Sequence, residues 1–231
     1  MSSGRHVDTI RIDKIIRSRR RTISLEIKPD GSLLVRAPLL ATNGQINKLV
    51  RQKEDWILEK QALVHQRSLE NPARKFAAGE EFPYLGKSYP LEIVNKQDQA
   101  LILREKFYLA EFASVNAKAV FIDWYKAQAA LEIRDRVEIY AQLNGYAFKR
   151  FRITIANTRW GSCGPHGSLN FSYRLVMAPI EIIDYVVVHE LVHLRIKNHS
   201  KTFWGEIQKL MPDYDAHRRW LKENGHRLTL N

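Results

Sequence analysis

Apolar positions along the chain change their period repeatedly, and each change predicts an element. Ile23, Leu25 and Ile27 alternate with Ser24, Glu26 and Lys28, the two-residue period of a half-buried strand. Ile10, Ile12 and Ile15-Ile16 carry this character upstream, so residues 9–37 read as β structure. Pro29-Asp30-Gly31 is a turn signal, and Leu33 and Val35 resume the alternation, which predicts a hairpin. From Thr42 to about Glu70 the period becomes helical, with Ile46, Leu49, Val50, Trp56, Ile57 and Leu63 mostly three or four residues apart. Asn71-Pro72 ends that helix, because the proline ring crowds the preceding residue out of helical backbone.

Residues 76–110 return to short strands with turn residues, notably Phe82 to Gly86. Ala113 to Leu143 reads as a long helix closed by Asn144-Gly145, since glycine enters the left-handed region at little cost. A second hairpin is predicted from Arg152–Ile155 and Ser168–Val176, with the turn formers of 160–167 between them. Three helices finish the chain. The first opens at Pro179, the second is capped by Ser200, and the third runs from about Asp213 to Asn224 and stops at Gly225. Strands with a helix, then a helix–hairpin–helices unit, make an α+β fold. The predicted organisation is a β-rich region with one long helix over 1–110, followed by a catalytic region over 111–231 that is expected as one compact unit.

The first of the three final helices carries the chemistry. It contains His189-Glu190-Leu-Val-His193, an HExxH motif. Residues four apart stack on one helix face, so His189 and His193 can offer ring nitrogens to one zinc ion. Glu190 lies about 100° round the helix, near the metal but off its axis, which suits a base acting on zinc-activated water. With 8 histidines in 231 residues, chance produces the bare motif in roughly one chain in fifty, so its context has to decide. That context is a run apolar on almost every side, Ile182-Ile183 and Tyr185 to Val188. β-Branching would favour a strand there, but the length from Pro179 to Arg195 exceeds that of buried strands. Two histidines and a glutamate inside a buried helix are costly without a partner, and a metal supplies one.

Three protein ligands and an open position make a catalytic zinc site. His199 is the favoured third ligand because it immediately precedes the Ser200 cap and so sits at a fixed corner; Glu206 of the next helix is the rival. The spacing matches HExxHxxGxxH, but Ile196 replaces the glycine of that motif's turn. Strand 168–176 alternates in a way that suits one wet face; it reads either as an ordinary structural strand or, by resemblance to zincin-type proteases, as an exposed edge that pairs with an extended substrate. Asp184, Asp213 and Asp215 are candidate acceptors for the second histidine nitrogens. Arg174, Tyr173, Tyr214 and His217 are candidates for a second electrophile. Cys163 reads either as a thiol near the metal or as a small buried residue.

Composition narrows the class further. Hydrophobic residues are 45% of the chain and Gly and Pro number 11 and 8, which excludes disorder as the main state. A single cysteine excludes an internal disulfide and a structural Cys-type zinc site. No apolar run approaches the length that spans a bilayer, and MSSGRHVDTI lacks the apolar core of a secretory signal. A cytoplasmic protein with no membrane partner is therefore expected. The net charge of +12 favours polyanions, and Arg17, Arg19, Arg20 and Arg21 form a basic run that reads as a nucleic-acid contact or a solvated edge.

Arg159-Trp160-Gly161-Ser162-Cys163, the stretch from Tyr185 to His193, Asn198-His199-Ser200 and Phe203-Trp204 together resemble the YgjP-like metallopeptidase family, which is distantly similar to the SprT-type zinc proteases. The likeness extends to the early Arg-rich hairpin, the Trp56-Ile57 helix and Tyr84-Leu85-Gly86. It implies one zinc per chain held by His189, His193 and His199, with Glu190 as acid and base. It also implies N-terminal β-hairpins and a helix packed with a zincin-like minimal metalloprotease unit over 111–231: helix, β-hairpin, HExxH helix and C-terminal helices. The expected function is a zinc metallopeptidase acting on a peptide or protein substrate. Two alternatives keep the metal: a hydrolase of nucleotides or phosphate esters, favoured by charge but lacking a Gly-rich phosphate loop, and a nucleic-acid-associated SprT-like protease.

Overall fold

Strand β1 (Lys14–Ser18), β2 (Ser24–Ile27) and β3 (Leu33–Pro38) form a sheet in the order β1-β3-β2. β2 and β3 make the expected antiparallel hairpin, Ser24 opposite Arg36 and Ile27 opposite Leu33, while β1 runs parallel to β3. The turn is set by Asp30, whose carboxylate accepts from the Ser32 N–H at 3.0 Å and its hydroxyl at 2.6 Å. The computed structural model describes residues 10–230; the N-terminal stretch read for a targeting signal, residues 1–9, lies outside them.

The single helix expected from Thr42 to Glu70 is two, α1 (Asn43–Gln52) and α2 (Glu54–Glu70). Thr42 starts α1 through a capping box: its hydroxyl accepts from the Gln45 N–H, and the Gln45 side chain accepts from the Thr42 N–H. Lys53 leaves helical geometry (φ −113°, ψ 19°), and this break lets Ile46 and Val50 of α1 and Ile57 of α2 share one core with Leu33, Val35 and Ala37. A period read along one continuous helix cannot anticipate such a break.

The chain divides into two compact units after Pro72, not near residue 110. The physical reason lies in the core of the second unit. Its strands β4 (Glu81–Tyr84), β5 (Lys87–Val94), β6 (Leu101–Leu103) and β7 (Phe107–Ala110), ordered β4-β5-β7-β6, bury Phe82, Leu91, Leu101, Phe107 and Leu109 in the same cluster as the HExxH helix. A 3₁₀ turn (Glu111–Asn116) leads into α3 (Ala117–Asn144), which buries one stripe at four-residue steps: Ala117, Phe121, Tyr125, Ala129, Ile133, Val137 and Ala141. Gly145 ends it in the left-handed region (φ 63°), as its position predicts.

The second hairpin exists, but between different segments. β8 (Arg150–Thr154), β9 (Gly161–Gly164) and β10 (Ser168–Ser172) order as β8-β10-β9. β9, hidden in what reads as a turn, pairs antiparallel with β10, while β8 runs parallel to it. Strand 168–176 therefore ends at Ser172, and Tyr173–Met177 is a buried 3₁₀ turn. Turn-forming residues conceal β9 because its pairing is made by backbone rather than by an apolar pattern.

Helix α4 (Ile180–Val192) follows, then α5 (Lys201–Leu210) and α6 (Tyr214–Asn224). Ile182, Ile183, Val186, Val187 and Val188 are each at most 4% exposed. Helix propensity costs such residues at most about 0.7 kcal/mol each, whereas full burial contributes roughly 1.5–3. Burial wins, and the β-branched run is helical. The fold is thus α+β, with six helices and three small sheets among the described residues. None of these helices is long and apolar enough to cross a membrane.

Candidate metal centre

His189 sits in the last turn of α4 and His193 caps its end. The chain then turns back through Leu194, Arg195 and Ile196, whose N–H groups donate to Leu191 and Val192 carbonyls, and delivers His199 just before α5. The His199 Nε2 lies 3.1 Å from the His189 Nε2 and 3.2 Å from the His193 Nε2. Phe203, fully buried in the first turn of α5, packs against all three imidazoles, with centroid separations of 4.9, 4.5 and 4.8 Å. Trp204 stacks on His199 and is itself stacked by Tyr214 and covered by the Arg218 guanidinium. The corner holding His199 is therefore fixed by aromatic packing and needs no glycine at Ile196.

The nitrogens converge in a way that calls for a cation. The His193 Nδ1–H donates to the Ile196 carbonyl at 2.9 Å, which leaves a lone pair on Nε2. His199 Nε2 can carry only one proton, so it cannot donate to both neighbours. Burial, and then the other two histidines, push the His189 pKa down to about 3; burial likewise lowers His193. Neutral imidazoles are the metal-binding form. Tetrahedral ligands about 2.0–2.1 Å from zinc stand about 3.3 Å apart, close to the separations found. Among the described residues, this triad is the one group of His, Cys, Asp or Glu side chains so clustered. The residues fit a zinc ion.

Glu190 is 5% exposed, and burial lifts its carboxyl to about 7, against the opposing pull of the Cys163 N–H and of Arg159. β9 crosses the carboxylate at Gly161, where a Cβ would stand 2.6 Å from Glu190 Cγ and 2.7 Å from Oε1. Gly161 and the Cys163 backbone border this carboxylate, and the pattern of side chains does not flag them; the glycine in Trp-Gly-Ser-Cys is the available signal.

Other candidates fall elsewhere. Glu206 pairs with Lys209 at 3.6 Å and stays outside the triad. The acceptor for His193 is a carbonyl rather than Asp184, Asp213 or Asp215, and Asp184 instead pairs with Arg136 at 3.3 Å. Arg174 is a buried clamp, donating to the carbonyls of Leu228 (2.6 Å) and Asn157 (3.0 Å) and lying over Trp160. Tyr173 is buried in the core beside Tyr125, and Tyr214 stacks on Trp204. His217 lies beside Tyr185. The Cys163 thiol is half-buried and outside the triad; burial raises its pKa. β10 is paired on both sides, so the edge strands of this sheet are β8 and β9, and strand 168–176 is not an edge.

A histidine triad on and after an HExxH helix, with a buried carboxylate beside it, defines the class as a metal-centred hydrolase. The sequence matches the YgjP-like metallopeptidase domain over residues 21–224, and the chain belongs to that family of peptidase-type hydrolases. Comparison with curated proteins gave no match. Among solved structures, the metallopeptidase zymogen of Pyrococcus abyssi abylysin is similar at 22% identity, over 39% of this chain and 93% of that one, with a TM-score of 0.36. That likeness is too loose to bear on fold or function.

Proposed function

We propose that the chain is a zinc-dependent metallopeptidase in which His189, His193 and His199 hold the ion and Glu190 is the general base. The observation that carries this reading is the convergence of the three imidazole nitrogens, at 3.1 and 3.2 Å, beside a buried carboxylate. When bound, zinc supplies Lewis acidity, polarising a carbonyl and acidifying water.

The chain's own residues supply the rest. Glu190, a buried carboxylate beside the triad, is placed to accept a proton on a carboxylate oxygen and to release it to the leaving amine. The Cys163 N–H orients that carboxylate, and Gly161 leaves room for it. β9 is an edge strand, and its outward backbone groups other than the Cys163 N–H that holds Glu190 remain for an extended peptide that adds as a strand.

The test compares zinc content and hydrolysis of an unfolded protein such as casein in three proteins. Glu190→Gln preserves size and polarity, so zinc should stay near one per chain while turnover falls by roughly 10²–10⁴-fold. His193→Ala should lose zinc and turnover together. Full activity in the Gln variant would refute Glu190 as the base, and loss of its zinc would make Glu190 a ligand or support instead.

A further inference from the structure

A cavity of about 220 Å³ adjoins His189 and Glu190, and its other walls are Trp160, Gly161, Tyr185, Val186 and Leu221. No lysine or arginine lines it. Tyr185 and Val186 are 5% and 4% exposed and belong to the same helix as the metal ligands, so those walls are fixed. Trp160 is held twice: the Arg174 guanidinium lies 4.7 Å from its ring, and Gly225 packs so closely that a Cβ there would come within 2.9 Å of Cζ2. Leu221, half-buried on α6, is the wall that can be altered with least harm to the core.

Pockets that take drug-sized ligands run to roughly 300–1,000 Å³. This one has room for a single side chain, and away from the His189–Glu190 wall its lining is Trp160, Gly161, Tyr185, Val186 and Leu221, with no charged group. We infer that it is the specificity subsite, taking one apolar side chain, of leucine to phenylalanine size, from the residue that flanks the scissile bond. The inference rests on the peptidase reading of the adjacent centre. It leaves a nucleotide, which is larger and anionic, without a seat.

The experiment has a binding arm and a cleavage arm. Zinc-loaded Glu190→Gln protein is titrated calorimetrically with blocked hexapeptides that differ at one position: Leu, Phe, Ala, Lys or Asp. The Leu and Phe peptides should bind at least about tenfold more tightly than Ala, and Lys and Asp more weakly still, since one methylene in such a pocket is worth about 10–200-fold. In the active protein, the same peptides should be cleaved in the same order. Leu221→Phe fills the cavity and should move the preference to Ala and Val; Leu221→Ala should move it to Phe and Trp. Equal binding across the series, or a preference unmoved by both Leu221 variants, overturns the subsite while leaving any observed cleavage intact. Selective binding without cleavage by the unmutated protein instead overturns the peptidase reading and keeps the pocket's selectivity.

Discussion

Replacing Gly161 by alanine puts a methyl group where Glu190 already is. The new Cβ would stand 2.6 Å from Glu190 Cγ, 2.7 Å from Oε1 and 2.9 Å from Cδ, against an ordinary carbon contact of about 3.5–4.0 Å. About 1 Å of movement is needed to relieve this. β9 resists it, because Gly161 lies opposite Phe171 in the β9–β10 ladder and the adjacent Trp160 carbonyl accepts from Ser172 at 2.8 Å. The Glu190 backbone belongs to a helix buried on nearly every side, so the carboxylate is what yields. A 1 Å misplacement of a reacting group costs about 10²-fold in rate, and overpacking costs about 1–3 kcal/mol. At about 2–4 °C per kcal/mol for a chain of this size, Tm should drop by several degrees. The assay measures turnover, zinc content and calorimetric Tm together: zinc stays near one per chain while turnover falls about a hundredfold. Gly205→Ala is the control, since nothing lies within 4 Å of its Cβ and alanine improves helix propensity there. Gly161→Ala with unchanged turnover would refute the claim that a precisely placed Glu190 carboxylate drives the reaction.

His199→Ala should abolish zinc binding at equimolar metal, whereas Glu206→Gln should leave it unchanged; the reverse pattern in metal analysis would make Glu206 the third ligand. The proposed nucleic-acid contact of the basic run now rests on Arg19 and Arg21, which are exposed, because the Arg17 guanidinium donates to the Ala41 carbonyl and to Asn43 Oδ1. Replacing both by alanine should weaken DNA binding and flatten its salt slope by about two; an unaltered slope would leave the run a solvated edge. Burial holds the Asp184 carboxyl above the usual aspartate value of 3.8 despite Arg136, so the folded chain keeps a proton that the unfolded chain has released. Stability contributed at this position therefore falls as pH rises above 3.8. In urea melts from about pH 4 to 7, the stability of the parent minus that of Asp184→Asn should decline with pH, and a rising difference would contradict the assignment.

Much of this protein is legible along the chain because local rules and burial agree there. The β2–β3 hairpin follows from alternation around Pro29-Asp30-Gly31, and α3 ends at Gly145 as its chemistry requires. His189 and His193 share a face because four residues nearly complete a helical turn. His199 is legible as a corner residue before a cap, and the family likeness points to it as well. Tertiary structure alone decided the rest. The helix break at Lys53 lets Ile46 and Val50 on one side and Ile57 on the other share the core of the first unit. β9 could not be read from Gly161-Ser-Cys-Gly164, since its identity lies in backbone pairing with a strand brought back beside it. Strands 81–110 belong with the catalytic unit because their buried face finds its apolar partners there, a choice between cores that no local window contains. The Glu190 environment is tertiary in the same sense: HExxH places the carboxylate beside His189 and His193, but its raised pKa comes from the burial around α4, and its position from a glycine some thirty residues upstream.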